Sequence, residues 1–364
     1  MSTTPEQALA WLLEAACPLW LEHGVDWKGG AFEEDLDPAT LRPRSEFRRL
    51  RVAARQIYVF ANAARLGVPR ARDAVALGLD FLHRHGALAE GGFAMRFDRA
   101  HNPLGRTRDL YDHAFVLLAY AHAGERGLAS AHLATIDQLF RHPVRGWHEA
   151  RPLALPRRQN PHMHLLEALL AAGERFGDAI YLDQADEIVG LFLDHFYQPD
   201  VGGLPEYYDD HLVPLREAGC FVLEPGHHHE WVWLLDEYLR IFAATGRPAR
   251  SVEPAMSGLS AFAEAHGVGS HGIVAAELWS DGRVKLASTR VWQHTERLKS
   301  LSRRGTEGQR DAALNTLFRF FEGVPRGLWR ERWDGDFIAG DASPASTLYH
   351  IACAVLEVQP GMPR

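Results

Sequence analysis

Cysteine is scarce in this chain. Cys17, Cys220 and Cys353 are the three among 364 residues, and they show no metal-ligand spacing. That argues against a disulfide framework and makes a reducing compartment the default. Basic runs are absent and the formal net charge is −8, so there is no electrostatic footprint for nucleic acid. No apolar run approaches membrane-spanning length. The segment MSTTPEQALAWLLEAACPLWLEHG has no basic stretch ahead of an apolar block, so no secretory leader is expected and the cytoplasm is the expected location. There is no G-x-x-x-x-G-K-[ST] phosphate loop, no dinucleotide fingerprint and no nucleophile elbow. Phosphorylated substrates and nucleotide cofactors have no obvious cradle, and the expected cofactor is none.

What the chain does have is rings. Ten Trp, nine Tyr, eighteen Phe and twenty His suit aromatic walls with imidazoles set into them, although most of these rings are expected simply to fill a core. Glycine followed by an aromatic or aliphatic residue recurs six times: Gly30, Gly92, Gly146, Gly203, Gly272 and Gly327. A repeat of this kind implies one supersecondary unit used again and again. Helix-period patterns fall at 5–23, 46–66, 70–86, 107–126, 128–141, 160–177, 180–196, 225–245, 250–266, 288–303, 306–322 and 343–358. Ser45 with Arg48 and Arg49 opens the second, Asn160 caps the sixth ahead of Pro161, and Thr245-Gly246 closes the eighth.

Each glycine mark lies between an odd-numbered helix and the even-numbered one after it. Segments such as GGFAMRFDRAHNPLGR and GGLPEYYDDHLVPLRE read as short strand–turn–strand excursions. The other links, LGVPRA, FGDA and TGRPARS, are short enough to force antiparallel helix pairs. Six hairpins cannot bury their faces alone, and closing them into a ring removes the ends a solenoid would need to cap. The expected fold is therefore an all-α (α/α)6 barrel of twelve helices, with short β-hairpin loops on one face, as one domain over residues 1–364. Even-numbered helices would line the inside and open their N-termini towards the long loops, where free N–H groups meet a polar ligand.

The densest polar cluster is EPGHHHEWVW. On a helix His227 and Glu230 are i,i+3 neighbours, so the carboxylate can orient an acid–base imidazole. A metal site or a polar helix start with histidines facing water is the alternative, and three consecutive histidines cannot all ligate one ion. Asn160 and His164 share a face while His162 points elsewhere. His350, alone on an apolar helix, reads by itself as a buried hydrogen-bonded histidine. Arg55 interrupts an apolar face and needs a carboxylate or ligand oxygens. Trp292 offers a flat ring, with Glu296 one turn on, and Tyr111 stands at the matching place in its own repeat.

The pieces AARQIYVF, DLYDHAF, NPHMHLLEA, EPGHHHEWVWLL, RVWQHTERLK and STLYHI, in this order from Arg55 to His350, resemble the N-acylglucosamine 2-epimerase superfamily. That superfamily includes cellobiose 2-epimerases and mannose (aldose–ketose) isomerases. The resemblance implies an (α/α)6 barrel. It implies His227 and His350 as acid–base groups either side of a sugar C1–C2 unit, Glu230 as the carboxylate partner of His227, and Arg55 as the cation on substrate oxygens. His164 and Asn160 would line the same end. Tyr111, Trp233, Trp292 and Glu296 would be pocket walls and hydroxyl contacts, with His294 a further binding residue where mannose isomerases more often carry Gln.

The chemistry implied runs through a cis-enediol and needs no metal. EPGHHHEW and R-x-W-x-x-T-E-x-x-K look closest to mannose isomerases, so the expected reaction interconverts free D-mannose and D-fructose, with D-lyxose and D-xylulose as a second pair. A 2-epimerase acting on mannose, cellobiose or an N-acylglucosamine is the alternative. An (α/α)6 glycoside hydrolase, which needs paired carboxylates, and a non-catalytic sugar-binding protein stand behind it. The expected partner is a small monosaccharide, with no nucleic acid and no membrane, and the protein acts as a monomer or homodimer.

Overall fold

The computed structural model describes residues 2–338, 340–359 and 361. Among these, twelve helices alternate between an outer and an inner ring. The outer helices are α1 (Pro5–Trp11 and Cys17–His23, joined through a π turn at Leu12–Ala16), α3 (Ala71–Phe81), α5 (Arg126–Phe140), α7 (Ala179–Leu191), α9 (Glu253–Phe262) and α11 (Glu307–Arg319). The inner ones are α2 (Leu50–Arg65), α4 (Leu110–Ala123), α6 (Asn160–Phe176), α8 (Pro225–Thr245), α10 (Val291–Arg304) and α12 (Ala345–Glu357). Each inner helix packs on the next, and α12 returns to α2, so the ring closes. An inner helix has neighbours on every side, which is why α4 is apolar around most of its circumference and buried from Ala114 to Ala121. No described helix is long and apolar enough to cross a membrane.

The loop excursions pair differently from the local hairpins expected of them. Phe47–Arg49 pairs with Arg96–Asp98, Arg108–Asp109 with Ala150–Arg151, and Arg157–Arg158 with Tyr207–Tyr208. Val222–Leu223 continues the pattern with Glu277–Trp279, and Thr289–Arg290 with Arg332–Trp333. Ser343–Pro344 returns to Asp35–Leu36 and closes the belt. The strand leading into one inner helix thus bonds to the loop of the next repeat. Locally, the excursions are held by single bridges such as Phe97 with Pro103 and Tyr208 with Pro214, apart from the hairpins Val25–Asp26 with Ala31–Phe32 and Glu277–Trp279 with Val284–Leu286.

Because strands feed the inner helices directly, α2, α4 and α10 start later than expected, at Leu50, Leu110 and Val291 rather than 46, 107 and 288. Ser45 opens nothing: its hydroxyl bonds to Asp35, the chain stays extended to Arg49, and α2 begins at Leu50. Asn160 is the first residue of α6 rather than its cap. Gly246 does close α8, in the left-handed conformation at φ 69°.

Three of the six glycine marks are explained by histidines. Phe93 N–H donates to His113 Nε2 at 3.1 Å, Trp147 N–H to His162 Nε2 at 3.3 Å, and Leu204 N–H to His228 Nε2 at 3.1 Å. Each imidazole pins the residue after a mark onto an inner helix. Gly92 and Gly146 have φ of 75° and 67°, and a Cβ there would lie 2.8 and 3.3 Å from the pinning Nε2, so only glycine fits. Burial lowers all three histidines to about 3, which keeps them neutral and able to accept.

Candidate active site

The first turns of the inner helices converge on one polar cluster. Arg55 of α2 is buried and donates from Nη2 to the Tyr111 hydroxyl at 2.6 Å. Its guanidinium lies 4.1 Å from the centre of the Phe115 ring and 5.0 Å from that of Tyr349, and its Nε has no partner. Tyr111 meets His164 edge-on at 4.7 Å. His164 Nδ1 is 3.1 Å from Glu167 and 3.8 Å from Glu230, and burial lowers it to about 4 despite these acids. Glu167 in turn accepts from the Tyr349 hydroxyl.

Two imidazoles flank Trp292. The His227 ring centre is 5.0 Å from it and the His350 ring centre 6.1 Å. Room for the indole comes from Gly226, where a Cβ would stand 2.7 Å from the ring. Burial works against charge on His227, but Glu206 at 2.8 Å from Nδ1 and Glu224 at 3.9 Å outweigh it and raise the imidazole to about 10. Asn160 stands 3.0 Å from Nε2, and its amide oxygen is otherwise without a partner. With the amide turned so that this oxygen faces Nε2–H, both groups are satisfied. His350 is the opposite case. Burial first, then Arg55, Lys299 and His164, push it well below its ordinary value. Its Nδ1 is 2.8 Å from Glu296 Oε1, which leaves Nε2 as the nitrogen free to act. One histidine is charged and the other neutral.

Nine of the eleven expected residues therefore stand in this cluster: Arg55, Tyr111, Asn160, His164, His227, Glu230, Trp292, Glu296 and His350. Within it, the partner of His227 is corrected. Glu206 holds Nδ1, because the ring turns towards the Tyr207–Tyr208 strand rather than down its own helix. Glu230 lies deeper, beside His164. Burial, then the neighbouring charge of Glu296, raises Glu230 well above the carboxylate range.

Two residues lie elsewhere. Trp233 is below the cluster, with Lys299 Nζ 3.8 Å over its ring and its Nε1–H donating to Glu357 at 3.0 Å. It lines a cavity of about 420 Å³ among the far ends of the inner helices, together with Tyr58, His122, Arg303 and Cys353. Two turns of helix separate it from the mouth. His294 faces outward: its ring packs on Phe320 at 4.7 Å and its Nε2 is 3.4 Å from the Thr289 hydroxyl. It occupies the helical place of the pinning histidines.

Sequence reasoning missed Glu206, Gln159, Glu167 and Lys299. Gln159 donates to Glu206 at 3.1 Å and accepts from Trp231 at 2.7 Å. Lys299 was visible in R-x-W-x-x-T-E-x-x-K, three residues after Glu296. Glu206 gave no signal, because its contact with His227 is made by a loop that folds back over 21 residues.

Among the described residues, three groupings bring ligand atoms within 4.8 Å: Glu206, Glu224 and His227; His164, Glu167 and Glu230; Glu230, Glu296 and His350. In the last, the Lys299 ammonium is already 2.6 Å from Glu296 and takes the electrostatic place of a cation. His227, itself cationic, does the same in the first.

Residues 30–354 match the family described as N-acylglucosamine 2-epimerase (GlcNAc 2-epimerase). The chain belongs to that family. It is 36% identical to the mannose-6-phosphate isomerase of Rhizobium meliloti (strain 1021), over 96% of this chain and 95% of the relative. It is 30% identical to a D-mannose isomerase of Thermobifida fusca, over 64% of this chain and 56% of that protein. A D-mannose isomerase crystal structure superposes with a TM-score of 0.84 at 20% identity, covering 98% of this chain and 97% of the other. The cellobiose 2-epimerase of Spirochaeta thermophila DSM 6192 superposes at 0.81 and 21%, covering 97% and 95%. These two share the (α/α)6 barrel. Membership makes this chain an enzyme of the sugar isomerase and epimerase kind.

Proposed function

We propose that the protein interconverts D-mannose and D-fructose through a cis-enediol, with His350 as base and His227 as acid. The observation that carries this reading is the opposite charge of two imidazoles flanking one indole, with Arg55 beside them. His350 Nε2 takes the proton from C2 of the open-chain aldose while His227 Nε2–H, exchanging the Asn160 amide for substrate, donates to the C1 oxygen. Arg55 and Tyr111–OH stabilise the negative charge that develops on the oxygens. His350 then returns its proton to C1, and His227 recovers a proton from the C2 hydroxyl. One proton has moved from C2 to C1 and one from O2 to O1, with no net redox change. Delivery by His227 to the other face of C2 would give the epimer instead, so the outcome depends on which imidazole reprotonates carbon.

A phosphorylated substrate is the second reading. It is favoured by the name of the Rhizobium relative and by Arg51, stacked 4.9 Å over Tyr111, and Arg158, which pairs with Asp109 at the same mouth.

Proton NMR of the purified, EDTA-treated protein in D2O tests both readings. Fructose carrying deuterium from D-mannose is expected, and His227→Ala and His350→Ala should each abolish it with the fold intact. Glucose appearing first would establish epimerisation. A kcat/KM at least tenfold higher for mannose 6-phosphate would favour the second reading. Turnover retained in either histidine variant would overturn the acid–base roles of the two imidazoles.

A further inference from the structure

The most deeply buried ion pair in the described chain forms the floor of the site. Lys299 and Glu296 are fully enclosed. They sit one helical turn apart on α10, with Nζ 2.6 Å from Glu296 Oε2, while Oε1 of the same carboxyl meets His350 Nδ1 at 2.8 Å. From below, Trp233 covers the ammonium. An enclosed ion pair adds little net stability over an apolar pair of the same shape. Its placement directly behind His350 calls for another explanation.

That explanation lies in a second carboxyl. Glu230 from α8 brings an oxygen within 4.8 Å of both Glu296 and His350, and two buried carboxyls so close cannot both ionise at low cost. Which of them carries the proton decides the tautomer of His350. An ionised Glu296 accepts from Nδ1–H and leaves a lone pair on Nε2. A protonated Glu296 donates to Nδ1 and drives the proton to Nε2, where it blocks the base. The two carboxyls are chemically alike. The asymmetry is that Lys299 Nζ stands 2.6 Å from Glu296 Oε2, whereas Glu230 Oε1 faces His164 Nδ1 at 3.8 Å.

We infer that Lys299 is a positioning residue, which holds Glu296 as the anion and leaves the proton on Glu230, so that His350 presents a bare Nε2 to the substrate. This rests on His350 being the base of the proposed function. The other charged or titratable groups facing His350 are Arg55 from α2 and His164 and Glu167 from α6. None of the three is itself altered by substituting Lys299.

The tautomer is read directly by nitrogen NMR of the full chain labelled with 15N-histidine, with the His350 signals assigned by difference from His350→Gln. Wild type is expected to carry its proton on Nδ1. Lys299→Met should move it to Nε2 and lower kcat for C2 proton exchange at least about 100-fold, with KM changed less than about threefold. Raising the pH should restore the variant, because alkali re-ionises Glu296 without help from Lys299. Lys299→Gln serves the same test if the methionine variant does not fold.

A wild-type proton on Nε2 would overturn the inference without any variant. So would a folded Lys299 variant whose tautomer is unchanged, or whose lost activity follows the unfolded fraction and shows no rescue by pH. The tautomer is measured without turnover. A wild type inert towards every sugar would therefore sink the proposed reaction while the action of Lys299 on His350 is still read.

Discussion

At the residue scale, the Glu206–His227 pair couples the site to pH. His227 is raised from 6.5 to about 10 in the folded chain, so it binds its proton more tightly folded than unfolded. The pair therefore stabilises the fold fully below about pH 6.5, and that contribution is lost as the pH rises towards 10. Urea midpoints should fall across this window in wild type and fall less in Glu206→Gln. The same substitution should lower kcat about 100-fold with KM nearly unchanged, which steady-state kinetics at pH 7.5 would check. The pinning histidines carry the opposite sign. His113, His162 and His228 are lowered to about 3, so the unfolded chain takes up their protons first and stability drains away as the pH falls from about 6.5 towards 3. Replacing His162 with Ala orphans the Trp147 amide and opens a cavity. A loss of about 2–4 kcal/mol is expected by urea denaturation, with activity per folded molecule retained.

At the element scale, the inner helices show what a sequence can and cannot tell. All twelve helices were legible because their apolar periodicity and their stops, such as Gly246 and Gly67 ahead of Pro69, are local. The N-termini of α2, α4 and α10 were not. What starts those helices is a strand bonded to another repeat, and no local pattern records that. The site divides the same way. His227 and Arg55 stood out by their types and places and His350 only through the family resemblance, whereas Glu206 takes its meaning from a fold-back of 21 residues. His294 misled because it stands where His113 and His228 stand, at a place that serves packing. Helix-level geometry also gives a prediction. Gly226→Ala on α8 puts a methyl against the Trp292 ring on α10, and a rigid indole cannot yield without turning. The variant should stay folded by circular dichroism while kcat falls and KM rises together.

At the scale of the whole molecule, the ring is held shut by contacts between its first and last repeats. Ser343 and Pro344 pair with Leu36 and Asp35, Ala345 N–H donates to Glu34 at 2.8 Å, and Trp20 of α1 stacks on Trp329 at 5.5 Å. Trp20 is fully buried, so Trp20→Ala should cost about 3–5 kcal/mol. Because that seam carries the repeat bearing His350, activity should be lost at lower denaturant than the bulk helical signal, which parallel activity and circular-dichroism titrations would resolve. The seam also places Gln359 Nε2 2.8 Å from the Pro5 carbonyl. A ring in which residues 5 and 359 touch has no structural need for the order in which its repeats follow one another. Joining the two and reopening the chain at the exposed Gly177–Asp178 turn would rewrite the reading order of six repeats and leave every neighbour where it was.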